Sequence, residues 1–332
     1  MSPPSPFLSS SPLGSRANDV MLATVERNGV VECVHHGAFV VVDPTGETVN
    51  AGGDVDGFVF GRSANKMMQA VAMLRAGLQV DQRQLALTTA SHSGGPEHLE
   101  VVRSILADAG QNVSALGNVS STPLGAHELV AFHRGNEEAS PLHMNCSGKH
   151  ASMVSTCNVR GWDLRTYLHA DHPLQQSITD TISELTKDAG GVGGAGVDGC
   201  GAPAHLVTLR GLARSLGSMA TAHCDSNEGR VAHAIKEYPV LVGGHGRDVT
   251  EFLLHAPGWI GKDGADGIMV LASPAGHSVA VKIADGTERP RIPVAVAALR
   301  AAGVQVPDLP PAITAPEVRG GNSIVGSVRA AI

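Results

Sequence analysis

The alternation of apolar and polar positions divides the chain into a β-rich beginning, a helical middle and a β-rich end. Between Met21 and Phe60, short β-branched or aromatic runs are separated by turns rich in Gly, Asp and Asn, which predicts an antiparallel meander. The runs are Val30–Cys33, Ala38–Val42 and Phe58–Phe60. At Ser63 the apolar period changes to that of a helix, so Ser63 is predicted to lie at a helix start.

Helical stripes then recur to about residue 254, and strands return after Gly267. Strands at both ends with helices between them predict an α/β fold, in which an antiparallel sheet formed from both termini carries a helical insert. The expected single domain covers 20–332, with a sheet lobe at about 20–60 and 257–332 and a helical lobe at about 61–256. Residues 1–19, rich in Ser and Pro, are expected to form a disordered tail.

Composition narrows the class of protein. The chain has 332 residues, of which 42% are apolar and 17% charged, a balance typical of a soluble globular protein. Its net charge of −7 comes without a block of basic residues, which argues against nucleic-acid binding. No apolar run approaches the length that a membrane-spanning helix needs. The expected partner is therefore a small molecule.

Cysteine usage indicates the compartment. The five cysteines are odd in number and widely scattered, which favours reduced thiols or metal ligands over a disulfide framework. The first residues lack the basic and apolar regions of a signal peptide. Both observations predict a cytoplasmic protein.

The densest cluster of reactive side chains is Asn145-Cys146-Ser147-Gly148-Lys149-His150. Small and apolar residues follow it, which predicts a loop-to-helix junction with Cys146 and Lys149 on one face. Such a cluster suits a functional site, since loops on rigid scaffolds often carry function. Residues that only cap the helix would give a similar pattern.

Two serines are candidates for nucleophilic chemistry. Ser63 and Lys66 stand one helical turn apart, so the amine can take the hydroxyl proton if its pKa is lowered. The alternative is a helix-capping serine followed by a solvated lysine. Ser91 follows an apolar run and precedes a predicted helix, which puts it in a loop where capping and substrate contact are equally plausible roles.

The glycine-rich segment 190–201 ends in Asp198-Gly199-Cys200. It lacks the flanking strand and the Lys-Ser or Lys-Thr of a phosphate-binding loop. A flexible loop that delivers Cys200 is the simpler interpretation.

Taken together, six motifs resemble the Rhizobium etli-type (class 3, asparaginase II) L-asparaginases over nearly the whole chain. In chain order they are Arg62-Ser63-x-x-Lys66, Ala90-Ser91-His92-Ser93, Asn145-Cys146-Ser147-Gly148-Lys149-His150, Asp198-Gly199-Cys200, Gly264-Ala265-Asp266-Gly267 and Val281-Lys282-Ile283-x-Asp285-Gly286, where x is a position outside the motif. The third motif together with Asp-Gly-Cys is the specific signal.

The resemblance implies a fold similar to serine β-lactamases and penicillin-binding proteins, and a homodimer that hydrolyses L-asparagine to aspartate and ammonia. It implies two catalytic pairs, Ser63 with Lys66 and Ser91 with Lys282. It also implies zinc ligands and a set of substrate-binding residues. The zinc ligands would be Cys146, Lys149 and Cys200, and the substrate-binding residues would be Arg62, Asn145, His150 and Asp198.

Physical chemistry agrees with this assignment. Two neighbouring lysines lower each other's pKa, so that one can be a neutral base near pH 7. Two thiolates and one nitrogen suit a tetrahedral zinc ion that orients substrate. The alternatives are another Ser-Lys amidohydrolase acting on glutamine, a β-lactam or a D-amino peptide, a cysteine nucleophile at Cys146, and a non-catalytic zinc-stabilised protein that binds amino acids.

Overall fold

The computed structural model describes residues 18–188 and 191–332; most of the predicted tail, residues 1–17, lies outside them. The strands are β1 Val20–Arg27, β2 Val30–Val42, β3 Thr48–Gly52, β4 Phe58–Phe60, β5 Ala195–Val197, β6 Pro203–Thr208, β7 Ile260–Gly264, β8 Ile268–Ala272, β9 Ser278–Ile283, β10 Glu317–Gly320 and β11 Ser323–Ala330. The helices are α1 Lys66–Arg75, α2 Gln82–Thr88, α3 Pro96–Asp108, α4 Ala126–Arg134, α5 Ser147–Arg160, α6 Pro173–Thr186, α7 Leu209–Ala220, α8 Asn227–Glu237, α9 Pro239–Val242, α10 Asp248–His255, α11 Arg291–Ala301 and α12 Pro311–Thr314.

The main sheet joins the two ends of the chain. Its strands run in the order β10-β11-β1-β2-β9-β8-β7, and β3 pairs with β2. Each of these pairs is antiparallel. The helices from α1 to α10 lie between the two groups of strands in sequence. The predicted α/β arrangement, a sheet from both termini with a helical insert, is therefore confirmed.

The sheet and the helices share one hydrophobic core. Val40 and Val281 from the sheet belong to the same buried cluster as Met68 and Leu87 from the helical region. Helix α7 packs on β2, β8 and β9, while α1 packs on α6 and α8. Burying apolar surface on both sides of the boundary stabilises the lobes as one unit, with α1 packed against its neighbouring helices.

A second, three-stranded sheet corrects two predictions. Its order is β4-β6-β5, so Phe58–Phe60 leaves the predicted meander and pairs with a strand from the middle of the chain. Within the middle of the chain that is predicted to be helical, Pro203–Thr208 forms strand β6, and helix α7 begins only at Leu209. Thr208 caps α7 by accepting a hydrogen bond from the Gly211 amide, which marks the point where strand changes to helix.

This small sheet positions the site. Strand β4 leads directly into the segment that contains Arg62 and Ser63, and β5 leads to Asp198 and Cys200. The His205 carbonyl oxygen on β6 accepts hydrogen bonds from the Gly61 amide and from Asn65 Nδ2. Two segments that lie far apart in the sequence are thereby fixed against each other.

Candidate active site

Lys66 is the centre of the site. Arg62–Asn65 form a 3₁₀ turn, and α1 begins at Lys66. The Lys66 side chain is buried, and its Nζ lies 3.1 Å from both Ser91 Oγ and Cys146 Sγ. It also donates to the carbonyl oxygen of Ala90. One amine therefore connects the serine loop to the cysteine cluster.

The loop that contains Ser91 is held on both sides by main-chain hydrogen bonds. Ser91 N donates to Val242 O at 3.1 Å, and Ser93 N donates to Gly243 O at 2.7 Å. His92 N donates to Asn145 O at 3.0 Å. Because three separate segments meet here, the position of Ser91 is set by the tertiary fold, although the residue lies in a loop.

Ser63 and Ser91 differ in their surroundings. Ser91 is buried, and its hydroxyl accepts from Lys66. Ser63 is half-buried, and among the described residues its hydroxyl makes no hydrogen bond. The Ser63 hydroxyl is therefore the one that remains open to an incoming molecule.

The second lysine of the site is Lys262, which the sequence reasoning missed. Its side chain on β7 is fully buried and contacts the Asp263 carboxylate. Burial lowers the pKa of Lys262 to about 8; Asp263 opposes this shift, while the positive charge of Lys66 adds to it. The resemblance predicts Lys282 as the second lysine of the site, but the lysine whose pKa is lowered by the charge of Lys66 is Lys262.

The predicted pairing of Ser91 with Lys282 is wrong. Lys282 lies on β9, and its amine donates to the carbonyl oxygens of Asp266 and Ile283, whereas Ser91 pairs with Lys66. A signal for Lys262 was present in the sequence. A Lys-Asp pair inside a run of buried strand residues has to be satisfied internally, and such charges are retained at functional sites more often than elsewhere.

The cysteine cluster lies beside Lys66. Cys146 directly precedes α5, as the predicted loop-to-helix junction requires, and Lys149 follows one turn later. Lys149 Nζ is 3.3 Å from Cys200 Sγ, and all three side chains are buried. Contact with Cys200 holds the pKa of Cys146 well below its usual value, with the two lysine charges acting in the same direction. Burial lowers the pKa of Lys149, but the charges of Cys200, Cys146 and Asp198 outweigh it and raise the pKa.

This donor set fits a zinc ion. Tetrahedral zinc with thiolate and nitrogen ligands keeps neighbouring donor atoms about 3.6 Å apart, close to the observed separation of Lys149 Nζ and Cys200 Sγ. Two thiols and one amine leave a fourth position for another ligand. The buried ring of His150, one residue after Lys149, forms a hydrogen bond with Tyr167 Oη over 2.8 Å, and this bond fixes its orientation. Burial lowers the pKa of His150 to about 4, so the ring is neutral.

The predicted substrate-binding residues separate into two groups. Arg62 and Asp198 meet at the mouth of the site, with Arg62 Nε 3.1 Å from Asp198 Oδ1, and Arg62 also pairs with Asp266. Arg62 and Asp266 both have left-handed φ values, +48° and +56°, a strained conformation that often accompanies function. Asn145 and His150 lie deeper: Asn145 Oδ1 accepts from the Cys146 thiol, and the His150 ring is fully buried.

Comparison with known proteins identifies the family. Residues 23–330 match the description of the L-asparaginase II family. This range includes every residue of the site described above. The chain belongs to the L-asparaginase II family, which places it among the hydrolases of amide bonds.

No curated protein matches the sequence. Among solved structures, a β-lactamase from Mycobacterium bovis is 15% identical with a TM-score of 0.47, covering 80% of this chain and 94% of its own. The hydrolase EstCE1, described as having promiscuous acyltransferase activity, is 14% identical with a TM-score of 0.35, covering 80% and 89%. At these TM-scores neither structure adds to the functional assignment. Within the described ranges, no helix has both the length and the apolar character needed to cross a membrane.

Proposed function

We propose that this protein is an L-asparaginase of the Rhizobium etli type, which converts L-asparagine to L-aspartate and ammonia. The observation that carries the proposal is the Lys66 amine, shared by Ser91 Oγ and Cys146 Sγ, in a chain of the asparaginase II family. A buried amine in contact with a hydroxyl, and near enough to a second lysine to lower its pKa, can serve as the base that activates a serine.

In the proposed mechanism, Ser63 Oγ attacks the side-chain amide carbon of asparagine while Lys66 takes the hydroxyl proton. That proton passes to the amide nitrogen, and the carbon–nitrogen bond breaks to release ammonia and leave an ester on Ser63. Water then attacks the ester carbon and gives a proton to Lys66, and Lys66 passes that proton to Ser63 Oγ as the ester bond breaks and aspartate is released. Ser91 holds the Lys66 amine in place, and Lys262, whose pKa is lowered to about 8 by burial and by the charge of Lys66, supplies a neutral amine that can accept a proton in the same site.

The amino-acid head group is proposed to bind at the mouth of the site. Arg62 suits the α-carboxylate, and the carboxylates of Asp198 and Asp266 beside it suit the α-ammonium group. Arg62 directly precedes Ser63 and bonds both carboxylates, so these residues are proposed to fix the distance between the head group and the nucleophile. One additional methylene displaces the amide by about 1 Å, enough to cost on the order of 100-fold in rate.

The test is a comparison of substrates. Ammonia release from L-asparagine, L-glutamine and a D-amino peptide amide is measured alongside cleavage of a chromogenic β-lactam. The proposal predicts turnover of asparagine with kcat/KM about 100-fold above that for glutamine. Preferred turnover of another compound would assign a different Ser-Lys amidohydrolase, and tight asparagine binding without ammonia release would assign a binding protein.

A zinc ion is proposed at Cys146, Lys149 and Cys200, where it would supply a Lewis-acid contact that orients the substrate. Lys149 binds metal only as the neutral amine, and its raised pKa means that a proton competes for it. Purified protein supplemented at pH 8 is expected to hold one zinc per subunit, and less as the pH falls. Cys200→Ser should lose the metal, while Cys157→Ser, a buried cysteine on α5 outside the cluster, should keep it.

Chelation of that zinc is expected to raise KM more than it lowers kcat, because the serines and lysines supply the nucleophile and the base. Substoichiometric metal after supplementation would contradict the site. Complete loss of kcat on chelation would contradict the orienting role. We further propose a homodimer in the cytoplasm, where the free cysteines, including exposed Cys33 and Cys224, would stay reduced.

A further inference from the structure

Arg247 lies next to the active site and contacts both the Asp263 carboxylate and the main chain of the serine loop. It belongs to the segment between α9 and α10, and its side chain is 17% exposed. Nη2 donates to Asp263 Oδ2 at 2.6 Å, and Nη1 reaches the main-chain oxygen of Ser91 at 3.4 Å. A planar guanidinium can make both contacts because its donors point in fixed, diverging directions.

The Asp263 carboxylate is divided between two cations. Oδ2 accepts from Arg247, while Oδ1 contacts Lys262. Asp263 is buried, so solvent does not compete for either oxygen. Arginine stays charged at every relevant pH, which means that Arg247 permanently occupies one side of the carboxylate.

We propose that Arg247 is a positioning residue for the amide hydrolysis. It binds one oxygen of the Asp263 carboxylate while Lys262 contacts the other, and it contacts the main-chain oxygen of Ser91. Lys262 and Ser91, which both act on the Lys66 amine, are thereby held in place. The inference rests on the proposed function, since it concerns the lysine pair of that same site.

The charges around Lys262 give this arrangement a measurable consequence. The groups whose charges act on its amine are Asp263, Lys66 and Arg247, and Asp263 is in turn influenced by Arg291. Burial is the largest cause of the lowered pKa of Lys262, and Arg247 acts in the same direction. Without the guanidinium, one positive charge is lost and the whole carboxylate becomes available to Lys262. Its pKa should then rise, and the neutral form should appear only at higher pH.

The fold can tolerate loss of this side chain. The segment around Arg247 is attached to the serine loop by main-chain bonds, from Ser91 N to Val242 O and from Ser93 N to Gly243 O. Arg247 N donates to Gly244 O, and Arg247 O accepts from Glu251 N. A substitution at Arg247 removes the two side-chain contacts and leaves these four bonds.

The experiment is the pH dependence of asparagine turnover by the full-length, zinc-supplemented protein and its Arg247 variants. In Arg247→Met the ascending limb of kcat is expected about one pH unit higher, which is about a tenfold loss at pH 7 that recovers above pH 9. Arg247→Lys keeps the charge and one bond to Asp263. The ascending limb of kcat for Arg247→Lys should stay within about 0.3 pH units of the parent limb. Its kcat should be a few-fold lower at every pH because the Ser91 contact is lost.

Arg247→Gln is a second neutral variant, and it tests the shift of the limb if Arg247→Met does not fold. Arg210→Met, which removes a pair with Asp56, is the control and should leave the limb unchanged. If the parent enzyme is active but the ascending limb of kcat does not move in Arg247→Met and Arg247→Gln, the inference about Arg247 is overturned while the proposed function stands. A parent protein without asparagine turnover would instead overturn the proposed function.

Discussion

Lys66→Met is expected to lower kcat for asparagine about a thousandfold at pH 8, with little change in KM. The Lys66 amine is the base that the mechanism uses, and general-base groups contribute about 10²- to 10⁴-fold. The substitution keeps the length of the side chain inside a buried site but removes every hydrogen bond to Ser91, Cys146 and Ala90. Steady-state ammonia release over a range of asparagine concentrations measures both constants.

Lys282→Met is the matched control for this variant. Lys282 bonds main-chain oxygens of Asp266 and Ile283, so its loss should reduce kcat by less than about tenfold. If Lys282→Met were as inactive as Lys66→Met, the assignment of the second catalytic lysine would return to Lys282. If Lys66→Met kept more than a tenth of the parent activity, Lys66 would not be the base.

Ser63→Ala is expected to lower kcat by about 10⁴-fold or more, the largest effect of any single substitution in the site. Its hydroxyl is the more exposed of the two serines and adjoins the strained Arg62. Ser91→Ala should cost only about 10- to 100-fold, since Lys66 keeps its other contacts and Ser91 serves to hold the amine. Because Ser63 and Lys66 act as a unit, the double variant should be no worse than Ser63→Ala.

These two serine variants also separate the competing roles. Near-normal turnover in Ser63→Ala together with an inactive Ser91→Ala would exchange nucleophile and positioning residue. Circular dichroism on both variants establishes that the loss is one of chemistry and not of folding. Zinc content, measured on the same samples, shows whether the cysteine cluster is intact.

Local sequence patterns predicted the parts of this fold that depend on local forces. The start of α5 after Cys146 follows from a helical stripe preceded by a polar cluster, and α3, α6 and α10 follow from periodic apolar residues. The sheet built from both termini follows from the order of strands and helices along the chain. In each case, the residues that decide the outcome are close together in the sequence.

Long-range contacts account for what local patterns missed. Pairing of β4 with β6 depends on a strand more than a hundred residues away, and no alternation within Phe58–Phe60 distinguishes that partner from β3. The choice between Lys262 and Lys282 is of the same kind. Lys262 lies on β7 and Lys282 on β9, with only β8 between them in the sheet, and only the three-dimensional arrangement shows that Lys262 is buried near Lys66. The family resemblance supplied two serine-lysine pairs but not the contacts that decide between these lysines.

The identity of the nucleophile is tested most directly by a diazoketone analogue of L-asparagine, which alkylates the activated side chain at the position of the amide. Peptide mass spectrometry locates the modified residue after incubation with and without excess asparagine. We expect one label per subunit on Ser63, prevention of labelling by asparagine, and loss of ammonia release in proportion to labelling. Labelling of Cys146 in place of Ser63, or turnover that survives complete modification of Ser63, would contradict this expectation.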